Sequence, residues 1–174
     1  MDYVFQGLPL HVLLVHAMVI AVPLVAVLLV VLAAWPGARR VLWIPTLIAA
    51  ALLVPLGLVT IEAGKWLRDR VPDAPLIQAH TSLGESIVPW LYAVLGIAVL
   101  VAAWQVVTVV ARRRGADSEH AVGARRTTAV VVGIVLTLAA AAVAAGAIWT
   151  VVQIGESGSR AVWQGSFSDT PLER

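Results

Sequence analysis

An all-α, four-helix transmembrane bundle of up-down-up-down topology, with both termini outside, is the fold that this sequence predicts. Three observations predict it. Four uncharged apolar runs have the length of a bilayer core, arginine is concentrated in two of the connections, and the last run carries a stripe of small residues. The chain has 174 residues, 60% of them hydrophobic, with a mean hydropathy of +0.92. A soluble domain of this size is nearer about 45–50% apolar. The excess is gathered into long runs and does not alternate as in half-buried strands, so a soluble core is a poor explanation.

A hydrocarbon core of ~30 Å takes about 20 residues at about 1.5 Å each. Segments of this kind run over about 12–35, 41–61, 87–111 and 128–154, as one membrane domain spanning 1–174. The first is not a cleaved signal peptide, because Asp2 is the only charge ahead of it and the run is too long for a signal core. The loop 36–40 carries Arg39 and Arg40, and the loop 112–127 carries Arg112, Arg113, Arg114, Arg125 and Arg126 against Asp117 and Glu119. The two tails and the 62–86 loop hold the other five basic residues with eight acids. The positive-inside rule places both arginine-rich loops in the cytoplasm and both termini outside a bacterial inner membrane.

The short 36–40 connection makes the first two helices antiparallel neighbours, and the last two form a second hairpin. Pro23 and Pro55 fall mid-span and are expected to kink their helices. Asp73-Ala74-Pro75 reads as a helix start, so the third helix begins ahead of its apolar part. Glu62–Arg70 extends the second helix outward until Val71-Pro72 stops it. The small-residue run Ala139–Ala142 and Ala144–Gly146 is expected to face the bundle interior, where it lets helices approach closely. Trp35, Trp43, Trp66, Trp90, Trp149 and Trp163 lie near the expected interfaces, and Trp104 lies towards the inner end.

The chain has no cysteine, which excludes disulfides, thiolate metal sites, cysteine-held iron–sulfur clusters and covalently attached c-type haem. A net charge of +2 is explained by topology, and no basic stretch is interleaved with aromatics as in a nucleic-acid platform. No phosphate loop, dinucleotide fingerprint or hydrolase triad stands in the sequence.

The polar residues gather at one depth. His11 and His16 open the first span, Thr60 and Glu62 close the second, His80 and Glu85 precede the third, and Thr150, Gln153 and Glu156 end the fourth. All fall at the outer end, whereas the inner half holds little beyond Thr46, Gln105, Thr108 and Thr128. His16 lies about one turn inside the apolar run, where an ionisable residue is costly and points to function. Glu62 is expected to be partly withdrawn from water.

Imidazoles and carboxylates from different helices can hold a transition metal, and a b-type haem takes one or two axial histidines. His11 and His16 are about 140° apart on a regular helix, so both do not aim at one small ion. His16 with His80 is the expected ligand pair, with Glu62 or Glu156 as a third ligand or supporting group, and His11 as an outer ligand. Against this stand structural roles in which His16 and Glu62 bond each other while His11 and His80 face water. A proton or solute path is disfavoured, because such paths place polar groups near the midplane. Met18 reads as packing, His120 as a solvated loop residue, and the arginine clusters as topology signals with anionic-lipid contact as a secondary role.

Gly7-Leu8-Pro9-Leu10-His11, followed by Val15-His16, resembles the opening of a bacterial membrane family known as domain of unknown function 2231. The resemblance continues through Gly64-x-Trp66-Leu67, His80-x-x-Leu83-Gly84, and Ile154-Gly155-x-Ser157-Gly158 with Ala161-x-Trp163, covering nearly the whole chain. It implies a four-span fold and no established activity. Association of related domains with Rieske-type iron–sulfur domains implies a redox setting. Where the family pattern has Gly-His-Ser-Gly after the fourth span, this chain has Gly155-Glu156-Ser157-Gly158. That departure weakens a bis-histidine haem reading and leaves a mixed His/Glu metal site open. Two functions compete on these grounds. One is a redox protein with haem or metal at the outer cluster. The other is a non-catalytic accessory or assembly subunit packed on a membrane partner or on a second copy of itself.

Overall fold

The computed structural model describes residues 2–113 and 119–166, with backbone only for 119–122, 124 and 125. Arg114 and Asp117, and the side chains of Glu119, His120 and Arg125, lie outside the described residues. The chain is all-helical apart from a short N-terminal hairpin. Strand β1 (Val4–Phe5) pairs antiparallel with β2 (Leu8–Pro9). Between them Gln6 and Gly7 have φ of 49° and 80°, both positive as a tight two-residue hairpin turn requires.

Five helices follow: α1 (Leu10–Ala34), α2 (Pro36–Arg68), α3 (Pro75–Gly84), α4 (Val88–Arg113) and α5 (Glu119–Trp163). A 3₁₀ turn over Glu85–Ile87 joins α3 to α4. Four of the resulting helical rods are long and apolar enough to cross a membrane. Around the bundle, α1 packs on α2 and α5, and α4 packs on α2 and α5. This is the closed ring of an up-down-up-down bundle.

Each helix turns one narrow stripe inward. On α1 the buried stripe is Met18, Val22, Val25, Leu29 and Leu32; on α5 it is Leu136, Ala140, Ala144, Ala147 and Val151. These spacings of three and four residues keep one face inside. The rest of the apolar surface, such as Ile20, Leu24, Leu52, Val99 and Leu138, is exposed. Helices satisfy their own backbone groups, so such a surface suits lipid. Of the small-residue run on α5, Ala140 and Ala144 are buried in the core and Ala139 packs against it. Gly146, the last of that run, lies beneath the Trp90 ring, and on α2 Gly57 lies beneath Leu91 and Met18, so both let large side chains of a neighbouring helix approach closely.

Two expected loops contract. The 36–40 connection is reduced to Trp35, because Pro36 starts α2 at once, its fixed φ and missing N–H suiting a first helical turn. Much of the 112–127 segment is helical, since α5 already begins at Glu119. Ala121, Ala124, Arg125 and Arg126 in that stretch are good helix formers that extend the helix outside the apolar region. The start of α3 at Pro75 and the outward extension of α2 to Arg68 follow the sequence signals.

Arg39, in the first turn of α2, is only 5% exposed. Its Nη1 donates to the carbonyls of Leu32 (3.2 Å) and Ala33 (3.3 Å), and its Nε donates to Gln105 Oε1 at 3.3 Å. It thus caps the C-terminal carbonyls of α1, which have no helical partners of their own.

Candidate functional site

The end of the bundle opposite the arginines brings two histidines together. His11 begins α1 and His80 lies on α3, ahead of the apolar stretch of the third crossing. Their ring centroids are 6.3 Å apart, with the planes at 71°. Both are half-buried.

The hydrogen bonds fix the proton on each ring. Nδ1 of His11 lies 2.9 Å from the carbonyl oxygen of Thr60. A carbonyl only accepts, so Nδ1 carries the hydrogen and donates. Nδ1 of His80 lies 2.9 Å from Ser157 Oγ, and that hydroxyl already donates to the Ile154 carbonyl at 2.9 Å. With the serine hydrogen spent, His80 Nδ1 must also donate. In its neutral form each ring therefore leaves a bare lone pair on Nε2. Burial, and next the nearby His11, hold the His80 pKa below the ordinary imidazole range, which favours that neutral form.

The two halves of the site are built alike. His11 sits against Gly64, where a Cβ would stand 2.9 Å from ring atoms Cε1 and Nδ1. His80 sits against Gly158, where a Cβ would stand 2.9 Å from Cε1. Gly64 lies four residues after Thr60, whose carbonyl holds His11, and Gly158 directly follows Ser157, whose hydroxyl holds His80 and is itself bonded to the Ile154 carbonyl. Both are preceded by the same pattern, Glu62-Ala63-Gly64 and Glu156-Ser157-Gly158. Each helical hairpin thus contributes one histidine lying on a glycine of its partner helix. Sequence reasoning missed this repeat, although the two Glu-x-Gly triplets at matching span ends carry its signal.

The other expected residues lie elsewhere. His16 is exposed on α1, and its Nδ1 is bonded to the Val12 carbonyl of its own helix. The structure therefore pairs His80 with His11 and leaves His16 apart, as the rotation between the two α1 positions demands. Glu62 is not withdrawn from water: its side chain is 58% exposed and pairs with Lys65 at 3.2 Å. Lys65 also reaches Glu85 at 3.0 Å and so ties α2 to the 3₁₀ turn. Glu156 is exposed and pairs with Arg160. Among the described residues, no three His, Asp or Glu side chains come together to hold a metal ion. Close by in sequence, Trp66 packs edge-on to Tyr3 and beneath Arg70, and its buried Nε1 has no hydrogen-bond partner.

The fold and its apolar crossings define a multi-pass integral membrane protein. Comparison of the chain with protein-family models, with curated proteins and with solved structures finds no match.

Proposed function

We propose that this membrane protein holds a redox cofactor, a b-type haem, between His11 and His80 at the outer end of the bundle. The observation that carries the reading is the pair of imidazoles whose Nδ1 hydrogens are both committed to the protein, leaving both Nε2 lone pairs free. Orientation of a ligating histidine through its other nitrogen is the usual support of a metal-bound imidazole. The two rings, with centroids 6.3 Å apart and planes at 71°, are the residues that would hold such a group. Two protein donors suit a haem, whose porphyrin supplies the remaining nitrogens, whereas zinc takes about four ligands from its site. Bound there, the group would supply one-electron transfer. The chain's own part is to orient two neutral rings and to shield them between the hairpins.

The arginine distribution supports an orientation with the histidine end outside the cytoplasm. The motifs that resemble domain of unknown function 2231 are in line with the same four-span reading and with a redox setting. The test is an absorbance spectrum of the purified protein, with metal analysis and haem titration on the same sample. A Soret band that His11→Ala and His80→Ala abolish and His16→Ala leaves intact is the expected result. A folded protein that takes up neither haem nor a transition metal overturns the proposal. Single cysteines introduced at Gly37 and Gln164, probed with an impermeant reagent on intact cells, test the orientation; labelling at Gly37 would reverse it.

A further inference from the structure

At the arginine end, the close of α1 and the start of α5 leave an apolar groove of about 520 Å³. Small residues open it, Ala33 and Ala34 on one wall and Ala129 and Gly133 on the other. Two cations line it, Arg39 and Arg126.

Arg39 is the independent observation. It is 95% buried, and its described partners are two carbonyls and an amide, with no carboxylate among them. Carbonyls at a helix C-terminus offset part of a cation's desolvation but do not neutralise it. Arg40 and Arg112 lie close enough to repel it further. All six acids whose side chains are described, Asp2, Glu62, Asp69, Asp73, Glu85 and Glu156, belong to the other end of the bundle. Below the arginines the groove runs along Val130, Ile134 and Leu138, exposed by 55%, 55% and 66%. A cationic mouth above an apolar channel at the membrane boundary matches a molecule with an anionic head and a hydrocarbon tail.

We propose that this groove is a binding site for one anionic phospholipid. Its phosphate lies between Arg39 and Arg126, and an acyl chain lies along Val130, Ile134 and Leu138. The site is independent of the histidine pair at the far end. Each arginine near an anionic lipid surface favours the lipid by a factor of about 5.

The test is native mass spectrometry of the full chain in detergent, titrated with phosphatidylglycerol or phosphatidylcholine. Wild type is expected to retain one phosphatidylglycerol at least about 5-fold more tightly than phosphatidylcholine. Arg126→Gln should remove about that factor from phosphatidylglycerol alone. Arg113→Gln, the same change of charge off the groove, should leave it unchanged. Gly133, whose Cβ position meets open space, accepts a larger side chain into the groove, so Gly133→Leu should weaken phosphatidylglycerol binding with the melting temperature preserved. Equal retention of the two lipids, equal losses in Arg126→Gln and Arg113→Gln, or full binding in a folded Gly133→Leu protein would each overturn the proposal. So would displacement of the lipid by millimolar inorganic phosphate, which would leave an anion site with no role for the chain.

Discussion

Replacing Gly64 by alanine separates a site glycine from an ordinary helical one. The added methyl would stand 2.9 Å from both Cε1 and Nδ1 of His11, where ordinary contact is 3.4–4 Å. The ring must retreat by half an ångström or more, and the 2.9 Å bond to the Thr60 carbonyl moves with it. Overpacking of this kind costs about 1–3 kcal/mol. Alanine recovers about 0.5–1 kcal/mol through helix propensity, so global stability falls by less than the overpacking cost, by about 0–2.5 kcal/mol. The site has no such compensation, and haem affinity should fall about 5- to 100-fold, at about 1.4 kcal/mol per factor of ten. The assay is haem titration followed at the Soret band, beside thermal melts in the same detergent. Gly155→Ala is the control, because its Cβ position meets nothing within 4 Å and the change should only stabilise. If Gly64→Ala raises the melting temperature as Gly155→Ala does and binds haem as tightly as wild type, the ring is not held against Gly64 and the reasoning fails.

Three further outcomes follow from the geometry. Gly146→Val places its side chain where the Trp90 ring lies, and should lower stability by about 1–3 kcal/mol in a thermal melt. His80 keeps its neutral form more readily in the fold than in the unfolded chain, so the unfolded chain binds more protons below pH about 6.5. Stability should therefore drop as the pH falls through that value, and His80→Asn should flatten the slope; a slope unchanged by the substitution would refute the assignment. Lys65→Met removes two exposed ion pairs and should leave the melting temperature close to that of wild type, with high salt erasing any difference.

The fold was legible because its causes are local. Apolar length marks each crossing, Pro75 marks a helix start, and Val71-Pro72 marks a stop. The choice between His11 and His16 was not legible in the same way. Depth in an apolar run says that His16 is costly, but not which way it points. One imidazole N–H can be satisfied by the carbonyl a turn earlier on its own helix, and His16 uses Val12 in that manner. His11 looked less informative because it stands at the edge of the run, yet it is the one that reaches another helix. Glu62 closes a hydrophobic span in the sequence, and the outward extension of α2 to Arg68 sets it in an exposed ion pair rather than at a buried site. Arg39 was read as a marker of topology, and its count in the loop conceals that one arginine of the pair turns inward to cap α1. Such choices depend on which residues a second helix presents, and that information is spread along the chain.

The mirrored construction of the two hairpins has a consequence for how the molecule comes together. Each half brings one imidazole to the site, held by an oxygen of its partner helix and seated on a glycine, and neither half alone brings a second. On the proposed reading, the prosthetic group acts as a clasp across the seam, so that loading it and joining the halves are a single event. A molecule divided within the 69–74 connection, between α2 and α3, would then be held together by its passenger as much as by its own core.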